Sequence, residues 1–167
     1  MSTGEHDLET PTGTTAETEG TGIEEAIRDV ARRGDPLFGT CAGAILLAQD
    51  LQNPEGKGLG LLSATVVRNA YGRQRDSTVV HLTDVDEAVL GSEPLEAVFI
   101  RAPKFVATGP GVEVLARRDG DPVLVRQENI LAATFHPELT DDRRVLSLFL
   151  EASGMRGEKT AGKGKIA

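Results

Sequence analysis

This sequence lacks most of what a nucleic-acid binder, a membrane protein or a disulfide-stapled secreted domain requires. Of 167 residues, none is Trp, one is Tyr and one is Cys. A lone cysteine closes no internal disulfide, so an intracellular, reducing compartment fits best and a cytoplasmic location is expected. Sparse aromatics leave no stacking platform for bases. No apolar run approaches the ~20 residues that span a bilayer, and no basic, apolar leader opens the chain, so no membrane association is expected. Basic clusters are missing as well. Seven of the 26 acids fall in residues 1–25, which hold no Lys or Arg, so the net charge of −8 belongs mostly to that segment. The other 142 residues carry 19 acids against 18 bases and are close to neutral. No nucleic-acid footprint is present.

What remains is enough for one domain with a core that buries roughly 70% of its unfolded surface. Residues 1–20, rich in Thr, Glu and Gly, have too little apolar surface to offset ordering and read as a disordered acidic tail. Thr21-Gly22-Ile23-Glu24 has the form of a capping box, opening a helix whose Ala26, Ile27, Val30 and Ala31 form an apolar stripe. Gly34 and Pro36 stop that helix. A short strand at Leu37-Phe38 and a second helix reaching about Gln52 follow, then a turn-rich loop from Asn53 to Gly60. Strands are expected at Leu62–Arg68, Thr78–Leu82, Ala97–Arg101, Val112–Arg117, Val123–Gln127 and Ile130–Phe135. Asp119-Gly120-Asp121 marks a hairpin. A last helix is expected after Thr140, with Asp141 and Asp142 in its first turn and Val145, Leu148 and Phe149 facing the core. Gly154 ends it, and residues 155–167 read as a flexible tail.

The single cysteine is the most informative residue. Gly39-Thr40-Cys41-Ala42-Gly43 stands between the apolar Pro36-Leu37-Phe38 and Ala44-Ile45-Leu46-Leu47-Ala48. A strand thus runs through Gly-x-Cys-x-Gly into a helix, the cysteine form of a nucleophile elbow. The glycines suit a tight turn that leaves little room and favours positive φ. The helix N-terminus is expected to lower the thiol pKa. A lone Cys is ordinarily an inert small hydrophobe, but the flanking glycines and the strand-to-helix setting argue against that here. A thiolate nucleophile needs a proton-exchanging histidine, and the histidine needs an orienting acceptor. His6 lies in the tail. His81 lies within a strand pattern and reads as structural or surface. His136 ends an apolar strand, 95 residues after Cys41, and starts His136-Pro137-Glu138. Pro137 biases His136 to extended geometry, in which residues i and i+2 point the same way. Glu138 is then placed to accept from one ring nitrogen while the other faces Cys41. His-Pro-Glu alone is an ordinary surface turn; its position relative to the elbow is what makes a Cys-His-Glu triad plausible.

These two segments together resemble the class I glutamine amidotransferases. Arg68-Asn69-Ala70-Tyr71-Gly72-Arg73-Gln74, Val98-Phe99-Ile100-Arg101-Ala102-Pro103 and His136-Pro137-Glu138-Leu139-Thr140-Asp141 resemble segments of the glutaminase subunit of pyridoxal 5′-phosphate synthase. The resemblance covers residues 23–153. It implies an α/β fold, a flavodoxin-like three-layer sheet with helices on both faces, in a domain spanning 21–154. It implies hydrolysis of L-glutamine with Cys41 as nucleophile, His136 as general acid and base, and Glu138 as its orienting partner. Arg68, Ile100 and Arg101 match positions that contact glutamine, and the Ala42 N–H would serve the oxyanion. The ammonia would pass to a (β/α)8-barrel synthase subunit. No cofactor and no metal are implied. Read without the resemblance, Arg68, Arg73, Arg75 and Arg101 are first of all solvated surface charges, since most Arg is exposed, with carboxylate-binding forks as the alternative and Gly72-Arg73-Gln74 as an alternative partner contact.

The family pattern also has N-terminal strands, a "GLQG" loop and a "PGGEST" loop, which this sequence does not match; Pro11–Thr15 lacks the paired glycines and the Glu. The fold is therefore expected to lack those strands, with an open sheet edge beside the elbow strand and fewer oxyanion donors. A mis-started reading frame, a truncated copy or completion by a partner would each account for this. The rival function is a catalytically impaired subunit that only binds the synthase. Another elbow-cysteine hydrolase is a third reading, disfavoured by Arg68–Gln74 and Ile100–Pro103.

Overall fold

The computed structural model describes residues 22–68, 70 and 77–154. The expected tails at 1–20 and 155–167, the capping residue Thr21, and Asn69, Tyr71 and Gly72-Arg73-Gln74-Arg75 lie outside the described residues.

Helix α1 (Gly22–Arg32) leads to β1 (Leu37–Thr40), Cys41 and the short α2 (Ala42–Leu47). Then come β2 (Ala48–Gln52), β3 (Gly56–Lys57), β4 (Leu62–Val67), β5 (Ser77–Leu82) and β6 (Asp84–Val85). Helix α3 (Glu87–Leu90) precedes β7 (Leu95–Ile100) and β8 (Lys104–Thr108). Strands β9 (Glu113–Arg118), β10 (Asp121–Gln127) and β11 (Ile130–Ala133), a 3₁₀ turn (Pro137–Leu139) and α4 (Arg144–Ala152) complete the order. No described helix is long and apolar enough to cross a membrane.

The central sheet runs β1-β11-β10-β9-β6, with β1 parallel to β11 and the remaining neighbours antiparallel. Strand pleating sends alternate side chains to opposite faces. Phe38, Leu131 and Ala133 join one apolar cluster, together with Val145 and Phe149 of α4 and Leu95, Ala97 and Phe99 of β7. Leu37, Ile130 and Ala132 join the other, with Leu51 of β2, Leu62 and Val66 of β4, and Ile27, Val30 and Ala31 of α1 packed on it. The molecule is therefore the expected α/β arrangement of three layers with a helix on each face. Beside the central sheet stand a β3-β2-β4-β8 sheet and a β5-β7 pair. Among the described residues β1 is an outer strand, paired only with β11.

Most strand expectations stand within two or three residues, and the hairpin holds. Asp119 (φ 52°) and Gly120 (φ 88°) both have positive φ between the paired Arg118 and Asp121, as a two-residue I′ turn requires. The elbow helix, expected to reach Gln52, stops at Leu47. Ala48 is extended (φ −66°, ψ 159°), and β2 pairs in parallel with β4 and antiparallel with β3. The apolar spacing of Ala44–Leu51 is compatible with either element, and pairing with the distant Leu62–Val67 decides it. The loop at Asn53–Gly60 likewise contributes β3. Strands β6 and β8 escape the sequence reading: β6 is two residues long, and β8, at the edge of its sheet, buries only Phe105 and shows no alternation. The last helix begins at Arg144, so Asp141 and Asp142 precede it. Asp142 still serves its N-terminus, its Oδ1 accepting the Arg144 N–H at 3.2 Å. Ala26 is exposed, and the stripe of α1 that packs on the core is the half-buried Ile27, Val30 and Ala31.

Candidate active site

The elbow is built as its sequence spacing suggests, but the glycines and the cysteine divide the labour differently. A Cβ on Gly39 would lie 2.8 Å from the Gly43 backbone and from Leu47 Cδ1, so β1 and α2 approach closely only if residue 39 is glycine. The positive φ falls on Cys41 itself (φ 53°, ψ −106°), a conformation that costs a non-glycine residue on the order of 1–3 kcal/mol. The Cys41 N–H donates to the Ala133 carbonyl at 2.8 Å, and the Cys41 carbonyl accepts from Ala44 and Ile45 at 3.0 and 3.3 Å. Strained backbone at a nucleophile, held by its surroundings, is the usual setting of such turns.

The thiol is half-buried. Its Sγ lies 4.0 Å from the Ile100 carbonyl oxygen. Burial pushes the thiol above its ordinary pKa, the Ala42 N–H draws it down, and the negative charge of Glu138 pushes it up again. The expected net lowering by the helix N-terminus is therefore corrected: in a helix of six residues desolvation outweighs one N–H. Ala42, the candidate oxyanion donor, is exposed.

His136 arrives from the neighbouring strand. The parallel register Thr40↔Ala133 puts the carboxyl ends of β1 and β11 side by side, one residue before Cys41 and three before His136. His136 is extended (φ −110°, ψ 91°) ahead of Pro137, and its N–H donates to the Val98 carbonyl at 2.9 Å. Its Nδ1 lies 2.9 Å from Glu138 Oε2. An ionised carboxylate only accepts, so Glu138 in that form takes its hydrogen bond from an Nδ1–H, and in the neutral imidazole this leaves Nε2 as the acceptor. Behind the histidine, Phe135 is fully buried against Phe99, ring centroids 5.6 Å apart, and Arg118 caps Phe99 at 4.5 Å. Among the described residues no hydrogen bond joins the thiol to the imidazole. The structure brings Cys41, Ile100, His136 and Glu138 to one rim, where β1, β11 and β7 end.

The arginines fare differently. Arg101 follows Ile100 with φ 48° and an exposed side chain. Arg68 is turned toward the β2–β3 turn: Nη2 donates to the Pro54 carbonyl at 2.6 Å, its backbone N–H to the Gln52 carbonyl at 3.1 Å, and its Nε is buried without a hydrogen-bond partner. It makes no hydrogen bond or ion pair to Cys41, His136 or Glu138 among the described residues. His81 is exposed on β5, as a surface residue should be. The 260 Å³ cavity lined by Ile130, Leu131, Leu148 and Phe149 opens at the start of β11, the end opposite His136. Among the described residues no His, Cys, Asp and Glu are grouped to hold a metal. Two participants carry no sequence signal: the Val98 carbonyl, because backbone roles are independent of side-chain identity, and Arg144, whose helical position reads as surface.

Residues 10–154 match the SNO glutamine amidotransferase family. The chain is 54% identical over 140 residues to the pyridoxal 5′-phosphate synthase subunit PdxT of Koribacter versatilis, covering 83% of this chain and 70% of that protein. It is 52% identical over 129 residues to the same-named subunit of Thermotoga petrophila, covering 77% and 67%. A crystal structure of a glutamine amidotransferase matches with a TM-score of 0.72 at 47% identity, covering 86% of this chain and 77% of the other.

Proposed function

This chain belongs to the SNO glutamine amidotransferase family, and from that premise we propose that it releases ammonia from L-glutamine through a Cys41-His136-Glu138 triad and delivers it to a pyridoxal 5′-phosphate synthase barrel. Its activity, like that of the relatives named as subunits of that synthase, serves vitamin B6 synthesis. His136 Nε2 takes the Cys41 proton as Sγ attacks the side-chain amide carbon. The oxyanion forms within reach of the Ala42 N–H. The imidazolium then protonates the leaving nitrogen, ammonia departs, and a γ-glutamyl thioester remains. Water, deprotonated by His136, attacks that thioester, releasing glutamate and regenerating the thiol. Glu138 holds the Nδ1–H tautomer and stabilises the imidazolium. The raised thiol pKa suits this sequence, since the proton leaves only when the base accepts it. Ile100 and Arg101, at the rim beside Cys41, are proposed glutamine contacts, a carboxylate-binding fork being what an amino-acid substrate asks for; Arg68 is the third, and to serve it must release the Pro54 carbonyl.

The observation that carries the reading is the juxtaposition of the strained Cys41 with the end of β11, where Glu138 holds His136 Nδ1 at 2.9 Å. Ammonia release from glutamine, with and without the synthase subunit, tests it. Cys41→Ala abolishes release, and acid quenching of wild type traps a γ-glutamyl adduct on Cys41. Equal release by wild type and Cys41→Ala would overturn it.

A further inference from the structure

Strand β7 touches both halves of the site without belonging to the central sheet. Its Val98 carbonyl holds the His136 N–H, and its Ile100 carbonyl faces Cys41 Sγ. Among the described residues its hydrogen-bonded strand neighbour is β5 alone. What fixes it lengthwise lies at its start. Arg144 Nη1 donates to the carbonyls of Leu90 and Glu93 at 2.8 and 3.0 Å, and Nη2 to that of Pro94 at 2.7 Å. Arg144 Nη2 and Nε donate to Asp142 Oδ2 and Oδ1 at 2.7 and 2.9 Å. All five N–H groups of the guanidinium are thereby committed. Asp142 Oδ2 also accepts the Glu96 N–H, within β7, at 3.3 Å, and the Asp142 N–H donates to Thr140 Oγ1 at 3.1 Å. Thr140 closes the 3₁₀ turn that carries Glu138. One ion pair therefore ties down both segments that flank His136: the strand whose carbonyl holds it and the turn whose carboxylate orients it.

We propose that Arg144 and Asp142 are positioning residues for the glutaminase reaction, setting β7 against the 136–140 turn and so placing His136 relative to Cys41. The inference rests on the glutaminase reading, and neither residue touches a reacting atom. Arginine is required because its planar fork serves three carbonyls and a carboxylate at once, which an ammonium on a flexible stem cannot.

The test uses the full chain with its synthase partner and the variants Arg144→Lys and Asp142→Asn. Arg126→Lys is the control, since Arg126 also grips a carboxylate, Glu113 at 2.7 Å, but it pairs near the start of β11, the end away from His136. In the first two variants kcat for glutamine falls roughly ten- to a hundredfold, the scale of a small misplacement at the reacting centre, while KM stays within about threefold. Amide exchange protection falls at His136 but not at Leu131 and Ala132. Arg126→Lys changes none of these. Unchanged kcat with unchanged His136 protection overturns the proposal, and so does a loss of protection shared equally with β11, which marks mere global destabilisation. Should Arg144→Lys not fold, the isosteric Asp142→Asn decides. If wild type itself releases no ammonia, the glutaminase reading fails; a selective loss of His136 protection still supports the positioning role, and its absence overturns it.

Discussion

Cys41 is held by residues within six positions of it and by the strand alongside; His136 is held by a strand and a guanidinium that meet it only through the fold. On the first side, Gly39, Gly43 and Leu47 pack the elbow, and Ala133 accepts the Cys41 N–H. On the second, Val98 accepts the His136 N–H, and the Arg144–Asp142 pair fixes the start of that strand. The geometry of Cys41 is thus mostly local, stored as backbone strain and close packing, with one bond across to Ala133. The geometry of His136 is mostly long-range, stored as hydrogen bonds between segments. Local geometry resists small shifts elsewhere in the molecule, whereas long-range geometry follows them.

Glu138→Gln should produce the largest separation between the two sides. Loss of the carboxylate lowers kcat for glutamine by about 10², within the range for disabled acid–base catalysis. The same change removes a negative charge that raises the Cys41 pKa, so the thiol titrates lower. Iodoacetamide then alkylates Cys41 faster at mildly alkaline pH while turnover falls; parallel loss of both rates would break the comparison. Gly39→Ala comes next and strikes the local side. A methyl 2.8 Å from the Gly43 backbone destabilises the fold by roughly 1–3 kcal/mol, read as a lower urea midpoint, with alkylation of Cys41 altered in the folded fraction.

Acid sensitivity probes the long-range side. The hydrogen bonds from Arg144 hold the Asp142 carboxyl below the usual carboxylate range. The folded pKa lies below the unfolded one, so this stabilisation is complete above the unfolded value and is lost as pH falls through the folded value. Melting temperature should drop on acidification in wild type, and Asp142→Asn should start lower at neutral pH with a shallower acid limb. Glu113, held low chiefly by Arg126, contributes in the same direction but is exposed, so Glu113→Gln should flatten the limb less. His81→Ala, on the exposed face of β5, should leave turnover within about twofold, as surface substitutions do.

The legible parts of the molecule were those written in neighbouring residues. Gly-x-Cys-x-Gly between two apolar runs specifies a strand, a turn and a helix start. His-Pro-Glu specifies an extended histidine with a carboxylate two residues on. The unbroken apolar runs Leu37-Phe38 and Ile130 to Ala133 fit strands buried on both faces. The end of the elbow helix was not legible, because Ala48–Gln52 suits either element until Leu62–Val67 pairs with it. Nor was the thiol's raised pKa, since the helix N-terminus is visible in sequence while the desolvation that opposes it is not. Arg68 shows the same limit: a guanidinium suited to a carboxylate by its chemistry is turned by the fold onto the Pro54 carbonyl.

By itself, then, the sequence determined which groups are candidates for the site and the local shapes that present them, because turn strain, glycine clearance and strand pleating act over a few residues. Only the tertiary structure decided how those groups meet. The parallel pairing of β1 with β11, the carbonyls of β7 at Cys41 and His136, and the three bonds from Arg144 to the carbonyls of Leu90, Glu93 and Pro94 join segments far apart along the chain, and no local rule constrains contacts of that kind.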